Sequence, residues 1–218
     1  MPEIEPERIV SRDELHSVAY KWSVNRQLDP VLYRKVVDNL FPDSDLPTYA
    51  HIVETSLLHF EGRKSEQIRA CEEVSRFFVQ IGATWSLETM RHLFLLNAAG
   101  LAGAITLYTQ SRIDDSFSAS SAAMFAIGIG LSLLGLWAGS KSFLLQAAAH
   151  TELLQPLRRA SSWEGLATVY SEAKGFQGKM KRSEQFAVTG NLAGWASAIV
   201  AIAALVIMGA GLWIAPSI

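Results

Sequence analysis

The sequence predicts an all-α integral membrane protein, a helical bundle with three transmembrane helices and a cytoplasmic helical region. Three stretches lead to this prediction: residues 93–109, 116–140 and 186–218 contain no Asp, Glu, Lys or Arg. A membrane-spanning helix needs about 20 mostly apolar residues. Charge concentrates elsewhere, with 11 of the 19 Lys and Arg and 15 of the 21 Asp and Glu in residues 1–92. Soluble chains seldom separate charge so completely, so we expect the chain to insert into a membrane.

The charge pattern also predicts the domain organisation and the orientation. We expect a disordered N-terminus over 1–10, a cytoplasmic helical region over 11–85 containing a long heptad-like helix over 48–82, a transmembrane hairpin over 90–140, a cytoplasmic helical loop over 141–185, and a third transmembrane helix over 187–215. Lys and Arg concentrate on the cytoplasmic side of membrane proteins. Only Arg112 of the 19 basic residues lies in the hairpin tip. We therefore predict a multi-pass membrane protein, with its N-terminus cytoplasmic and its C-terminus outside.

Local signals predict where the first helices begin. Ser11 and Glu14 have the spacing of a capping box, in which each side chain bonds the backbone of the other. Asp29 followed by Pro30 starts a second helix, because Asp caps the first turn and Pro suits its first position. This helix is expected to end near Phe41, before a proline-rich break.

The long helix predicted over 48–82 carries an apolar stripe. Its apolar residues alternate at spacings of four and three from Val53 to Ile81, interrupted at Lys64 and Gln67. This spacing is typical of a coiled-coil seam. Two interpretations stay open: the stripe packs on the two preceding short helices of the same chain, or it drives self-association.

Breaks are predicted on both sides of the transmembrane helices. Residues 82–86 are expected to form a joint after the long helix, so that the first span begins as a separate helix. The second span is expected to continue as a helix until Pro156, and Ser161 or Ser162 to cap a short helix after it. Glycines within 175–178 are expected to loosen the chain before the third span.

Three polar side chains within the predicted spans are candidates for a bundle or pore site. Asn97 in the first span and Asn191 in the third lie at similar predicted depth, and Ser132 lies in the second. An unsatisfied amide in hydrocarbon is costly, so we expect both asparagines to face the bundle interior and to bond each other or a neighbouring subunit. They would form either a polar ring at the inner mouth of a pore or a structural link between helices.

Small residues predict close helix packing. The glycines expected at helix contacts are Gly100, Gly103, Gly135, Gly139, Gly190 and Gly194. Gly135 and Gly139 form a GxxxG pair, and such pairs let helix backbones approach closely in lipid. Packing within one chain and self-association both remain open for this pair.

A basic cluster precedes the third span and consists of Lys174, Lys179, Lys181 and Arg182. Such a cluster can contact anionic lipid head groups at the inner leaflet. The ordinary accumulation of basic residues on the cytoplasmic side explains it equally well.

The uncharged spans argue against pumps, ion-coupled transporters and voltage sensors, which need charged residues at depth. The sequence contains no phosphate loop and no GxSxG nucleophile motif, and it has a single cysteine, Cys71. We therefore expect no enzyme activity, no cofactor, no metal and no nucleic-acid partner.

The layout resembles that of small bacterial membrane effectors, in which a cytoplasmic helical part governs a few membrane spans. This resemblance implies an oligomeric effector or channel-like protein whose cytoplasmic helices gate ion conduction or membrane perturbation, in a setting such as antiviral defence. The expected partners are membrane lipids, further copies of the chain, and a cytoplasmic protein or small-molecule signal. The alternative is a non-conducting membrane anchor, scaffold or immunity-type protein that binds a partner.

Overall fold

The computed structural model describes residues 7–214, and helices make up 88% of it, which confirms the all-α prediction. The helices are α1 (Arg12–Asn25), α2 (Pro30–Leu40), α3 (Ala50–Thr109), α4 (Asp115–Arg159), α5 (Trp163–Glu172) and α6 (Lys174–Ile214), with a 3-10 helix at Asp43–Asp45. Three helical stretches are long and apolar enough to cross a membrane: Glu88–Thr109, one within Asp115–Arg159 and one within Trp163–Ile214.

The predicted helix starts are confirmed by their capping hydrogen bonds. The Glu14 N–H donates to the Ser11 Oγ at 3.3 Å, and the Ser11 N–H donates to a Glu14 carboxylate oxygen at 3.3 Å. The Val31 N–H donates to the Asp29 carboxylate at 2.9 Å. The Ser162 Oγ caps α5. Each cap satisfies a backbone N–H that the first turn of a helix leaves without a partner.

The three long helices run through the predicted breaks. Helix α3 is continuous for 60 residues across the expected joint at 82–86. A Cβ at Gly82 would lie 2.7 Å from the Phe143 Cβ, so this glycine serves a close contact between α3 and α4 rather than a break. Pro156 lies in the last turns of α4, which ends at Arg159. Helix α6 already begins at Lys174 and includes the glycines that were expected to loosen the chain, so 141–185 consists largely of helix.

The N-terminal segment differs from its prediction. Residues 1–6 lie outside the described part of the chain, but Arg8–Ile9 form strand β1, which pairs antiparallel with strand β2 at Thr48–Tyr49. Only 1% of Ile9 is exposed. Burial of this one apolar side chain and pairing with β2 order a segment whose composition predicts disorder.

The chain forms two compact units, and α3, α4 and α6 contribute to both. The first unit comprises residues 7–74 and 150–176 among those described. In its core, Val53, Leu57 and Phe60 of the predicted stripe are fully buried together with apolar residues of α1, α2, α4 and α5. This confirms that the buried part of the stripe packs within the chain.

The second unit, residues 75–149 and 177–214, contains the three apolar stretches. Helices α3 and α4 are antiparallel and are joined by a tight turn. In that turn, Ser111 has a φ of 55° and the Arg112 N–H donates to the Leu107 carbonyl at 3.0 Å. Helix α6 runs antiparallel to α4, because Gly190 packs near Gly135 while the later Ser197 packs near the earlier Ser132. Helices α3 and α6 are therefore parallel.

Candidate functional site

A buried polar node connects the three apolar helices of the second unit. The Asn97 Nδ2 of α3 donates to the Ser197 Oγ of α6 at 3.1 Å. The Ser197 Oγ lies 2.8 Å from the Ser132 Oγ of α4, and both hydroxyls reach the Gly128 carbonyl at 2.9 Å. No more than 1% of Asn97, Ser132 or Ser197 is exposed. This polar node, defined by Asn97, Gly128, Ser132 and Ser197, links all three helices through side chains.

One acceptor of the polar node is not satisfied. The Asn97 Oδ1 is buried and has no hydrogen-bond partner among the described residues. A Cβ at Gly128 would lie 2.0 Å from this oxygen, so only glycine leaves room for the amide there. A buried acceptor without a partner costs about 1–3 kcal/mol. The node therefore holds a free amide oxygen against the backbone of α4.

A cavity of ≈ 410 Å³ lies between α3 and α4 and reaches the polar node at Ser132. Glu88 and Arg91 also line it. Both fall within the Glu88–Thr109 stretch, which is long and apolar enough to span a membrane. The uncharged part, 93–109, has 17 residues, and the same helix continues unbroken before it through these two charged residues.

An apolar layer follows the polar node along the helices toward the hairpin tip. Phe125 of α4 is fully buried and packs with Ala201 and Ala204 of α6. Its ring fills the space beside Gly100, where an added Cβ would lie 2.3 Å from a ring carbon. We call this layer the Phe125 plug. It contains no polar side chain and lies between the polar node and the serines nearer the tip.

The hairpin tip forms a second, polar opening. A cavity of ≈ 650 Å³ is lined by Arg112, Asp114 and Asp115 together with the last residues of α6. The Ser116 Oγ donates to the Asp114 carboxylate at 2.6 Å, and this hydrogen bond lowers the pKa of Asp114. Deeper in α4, the Ser118 Oγ donates to the Ala104 carbonyl at 3.3 Å.

At the opposite end of the unit, α4 and α6 share another polar contact. The Ser142 Oγ lies 3.1 Å from the Ser183 Oγ, and the Gln146 Nε2 donates to the Ser183 Oγ at 2.7 Å. Both serines are buried. Hydroxyl contacts of α4 therefore occur at Ser118, at the polar node and at Ser142, with the Phe125 plug between the first two.

The structure brings two of the three predicted polar residues together and separates the third. Asn97 and Ser132 belong to the polar node, whereas Asn191 is exposed. Within the single chain Asn191 does not face the interior, because the buried face of α6 carries Gly190, Ala193, Gly194 and Ser197; its bonding to a neighbouring subunit stays a prediction. The position of Asn191 in the 3.6-residue helical repeat directs its side chain away from that face.

Most of the predicted glycines pack within the chain. A Cβ at Gly190 would lie 3.2 Å from the Gly139 backbone nitrogen and 3.3 Å from the Gly135 carbonyl oxygen, so this GxxxG pair forms the contact between α4 and α6. Gly194 packs against Met90 of α3. Gly103 has no atom within 4 Å of an added Cβ. The GxxxG pair is thus used inside one chain, and self-association through it has no support.

The basic cluster falls on the first turns of α6. Lys174, Lys181 and Arg182 are exposed, and Lys179 is half-buried. Their contact with lipid head groups stays a prediction.

In the first unit, two side chains have a shifted pKa: Tyr170, which is 40% exposed, and the buried Lys64. The Tyr170 hydroxyl lies 3.2 Å from the Cys71 Sγ, and burial together with this hydrogen bond raises the pKa of Tyr170 to about 12. Only 5% of Lys64 is exposed, and burial lowers its pKa from the usual 10.5, although Glu61 and Asp29 oppose the shift. Cys71 thus lies in the core, and its thiol is not available as a surface nucleophile.

Replacement of Lys64 by Met tests this buried charge. Between the lowered folded pKa and 10.5, the unfolded chain binds more protons, so the stability of the wild type should rise with pH through that window. We expect Lys64→Met to raise the melting temperature at pH 7 by roughly 3 °C and to flatten the rise with pH. Thermal unfolding of the full chain by circular dichroism from pH 7 to 10 measures both. An unchanged pH dependence in the variant would contradict the assignment.

The described residues contain no group of three or more His, Cys, Asp or Glu that could hold a metal ion. No protein family, no curated protein and no solved structure matches the chain. Function therefore follows only from the residues of the site.

Sequence reasoning missed part of the site. Ser197, Gly128 and Phe125 were not singled out, because serines, glycines and phenylalanines are common in apolar helices. Arg91 falls inside the hairpin predicted over 90–140 and Glu88 just before it, but neither was singled out as a site residue. The one available signal was the short uncharged length of 93–109, which left the first span shorter than the other two.

Proposed function

We propose that the protein is an oligomeric multi-pass membrane effector of the channel-like type. Its three apolar helices cross a bacterial inner membrane, with the N-terminus cytoplasmic. Its first unit receives a signal from a cytoplasmic protein or small molecule. The second unit then conducts ions or disturbs the bilayer, in a setting such as antiviral defence.

The free Asn97 Oδ1 is the observation that carries this proposal. A helix link needs no unsatisfied acceptor, whereas an amide oxygen at depth is a ligand that water or a cation prefers. The cavity between α3 and α4 reaches the polar node at Ser132, which lies in the same hydrogen-bonded group as this oxygen's side chain. The polar node is thus suited to be part of an ion pathway.

The Phe125 plug accounts for a closed resting state. An apolar constriction blocks ions by excluding water. The plug lies between the polar node and the tip cavity, so its displacement would join the two polar regions. Movement of α6 against α4 would displace it, since Ala201 and Ala204 form its second wall.

Assembly would use the outer face of α6. Asn191 is exposed there among apolar residues such as Trp195, of which 73% is exposed. An amide on an apolar surface is satisfied by a second copy of the chain. This face replaces the GxxxG pair as the proposed oligomer contact.

Ion flux from proteoliposomes containing the purified full chain tests the proposal. We expect Asn97→Leu to lower the flux by about tenfold and to change ion selectivity, because it removes the free amide oxygen. Thr106→Val is the matched control, since Thr106 is an exposed polar residue of the same helix. Equal flux and selectivity in Asn97→Leu, with the same oligomer size, would exclude the polar node from an ion pathway.

The second candidate is a non-conducting anchor, scaffold or immunity-type protein. One observation favours it: Gly135, Gly139 and Gly190 form the contact between α4 and α6 within one chain. These glycines are then not needed for contact with a second copy. In that case a protein partner should bind the first unit, and no variant of the polar node should change ion flux.

A further inference from the structure

A charged pair sits at the rim of the cavity between α3 and α4. Glu88 and Arg91 both line this cavity of ≈ 410 Å³, and neither makes an ion pair within the part of the chain that the structure describes. Phe94, Leu133 and Leu136 supply its apolar walls. The cavity therefore combines opposite charges with an apolar groove.

Helix contacts show that this pair lies deeper than the charges that end the other two spans. The Met90 Cε lies 2.9 Å from where a Cβ of Gly135 would be and 3.0 Å from that of Gly194. Lys141 follows Gly135 by six residues, which is about 9 Å along α4. Glu88 and Arg91 lie on either side of Met90, and Met90 is level with Gly135. That level is more than one helical turn before the end of the uncharged stretch 116–140.

The order of the two charges along α3 fits one ligand chemistry. Arg91 is three residues deeper than Glu88, which is about 4.5 Å of helical rise. In a zwitterionic phospholipid the phosphate lies next to the acyl chains and an ammonium lies beyond it, toward water. A guanidinium binds phosphate through charge-assisted hydrogen bonds, and a carboxylate binds an ammonium. Phe94 lies one turn deeper still, where an acyl chain would begin.

We propose that the cavity between α3 and α4 binds a zwitterionic phospholipid of the phosphatidylethanolamine type. Arg91 holds its phosphate, Glu88 holds its ammonium, and an acyl chain lies against Phe94, Leu133 and Leu136. A lipid with phosphate but no ammonium leaves Glu88 facing an anion, so the site selects against it. This inference rests on the proposed membrane location, and it does not require conduction.

Native mass spectrometry of the full chain, purified in detergent, tests the site. The chain is mixed with equal amounts of dioleoyl phosphatidylethanolamine and dioleoyl phosphatidylglycerol. We expect one retained phosphatidylethanolamine per chain and a preference of about tenfold, equivalent to about 1.4 kcal/mol. Glu88→Gln should abolish the preference while retaining both lipids. Arg91→Gln should reduce retention of both by about tenfold.

Lys141→Gln is the matched control, because Lys141 is an exposed charge on α4 five residues after Leu136 but does not line the cavity. Equal retention of the two lipids by the wild type, or an unchanged preference in Glu88→Gln, would overturn the inference. Membrane location is measured separately, as resistance of the expressed chain to alkaline extraction. Extraction of the chain would defeat the proposed function, whereas a resistant chain without lipid preference would defeat only the lipid site.

Discussion

Gly190→Leu should destabilise the second unit by about 3 kcal/mol, at the upper end of the cost of overpacking. The added side chain meets backbone, since a Cβ at Gly190 would lie 3.2 Å from the Gly139 nitrogen and 3.3 Å from the Gly135 carbonyl oxygen. Backbone atoms move only if α4 and α6 separate. That separation would also break the hydrogen bond between the Ser132 and Ser197 hydroxyls.

Detergent-mediated unfolding, followed by circular dichroism of the full chain in mixed micelles, measures this effect. Gly209→Leu is the control, because it makes the same exchange in α6 where an added Cβ has no atom within 4 Å. The control should be neutral or more stable, since glycine costs about 1 kcal/mol in a helix. Equal loss of stability in both variants would mean that the contact between α4 and α6 is not as close as described.

Phe125→Ser should raise ion flux from proteoliposomes by at least about tenfold, because it replaces the apolar plug with a hydroxyl that water can wet. The side chain is fully buried, and its loss leaves space beside Gly100, Ala201 and Ala204. The variant is also expected to be less stable by about 3 kcal/mol, so flux is compared only for protein that elutes at the wild-type size.

Two further variants make this result specific. Ile127→Ser adds the same hydroxyl two residues along α4, at a position that is 57% exposed, and should leave the flux unchanged. Phe125→Leu keeps the layer apolar and should stay closed. A rise in flux with Ile127→Ser equal to that with Phe125→Ser would indicate general leakage and not an opened plug.

Local signals were sufficient for the helix starts and for the presence of three apolar helices. Ser11 and Asp29 act on N–H groups within three residues, so their effect does not depend on the rest of the fold. Gly82, by contrast, has a role that local signals do not predict. Its role in α3 depends on Phe143, which lies far along the chain, and the sequence around Gly82 alone favours a break.

The polar node could be predicted only in part for the same reason. Asn97 and Ser132 are polar residues in uncharged stretches, and their burial follows from the cost of exposing polar groups to lipid. Which face of α6 turns inward is decided by the contact of Gly190 with α4, so the sequence favoured Asn191 where the structure uses Ser197. The rotation of a helix about its axis relative to its neighbours is set by packing between helices, and no local sequence signal determines it.

The selectivity of an opened pathway tests the central claim most directly. Planar-bilayer currents of Phe125→Ser are compared with those of Phe125→Ser combined with Asn97→Asp, which places a carboxylate where the free amide oxygen lies. Because Phe125→Ser is expected to open the plug by itself, the measurement does not need the signal that activates the wild type. If the polar node lines the pathway, the double variant should pass cations over anions at a ratio at least about fivefold higher than the single variant, because a carboxylate attracts cations. Equal ratios would contradict a pathway lined by the polar node, and no current from either variant, when both are inserted in the bilayer, would contradict a channel-like function.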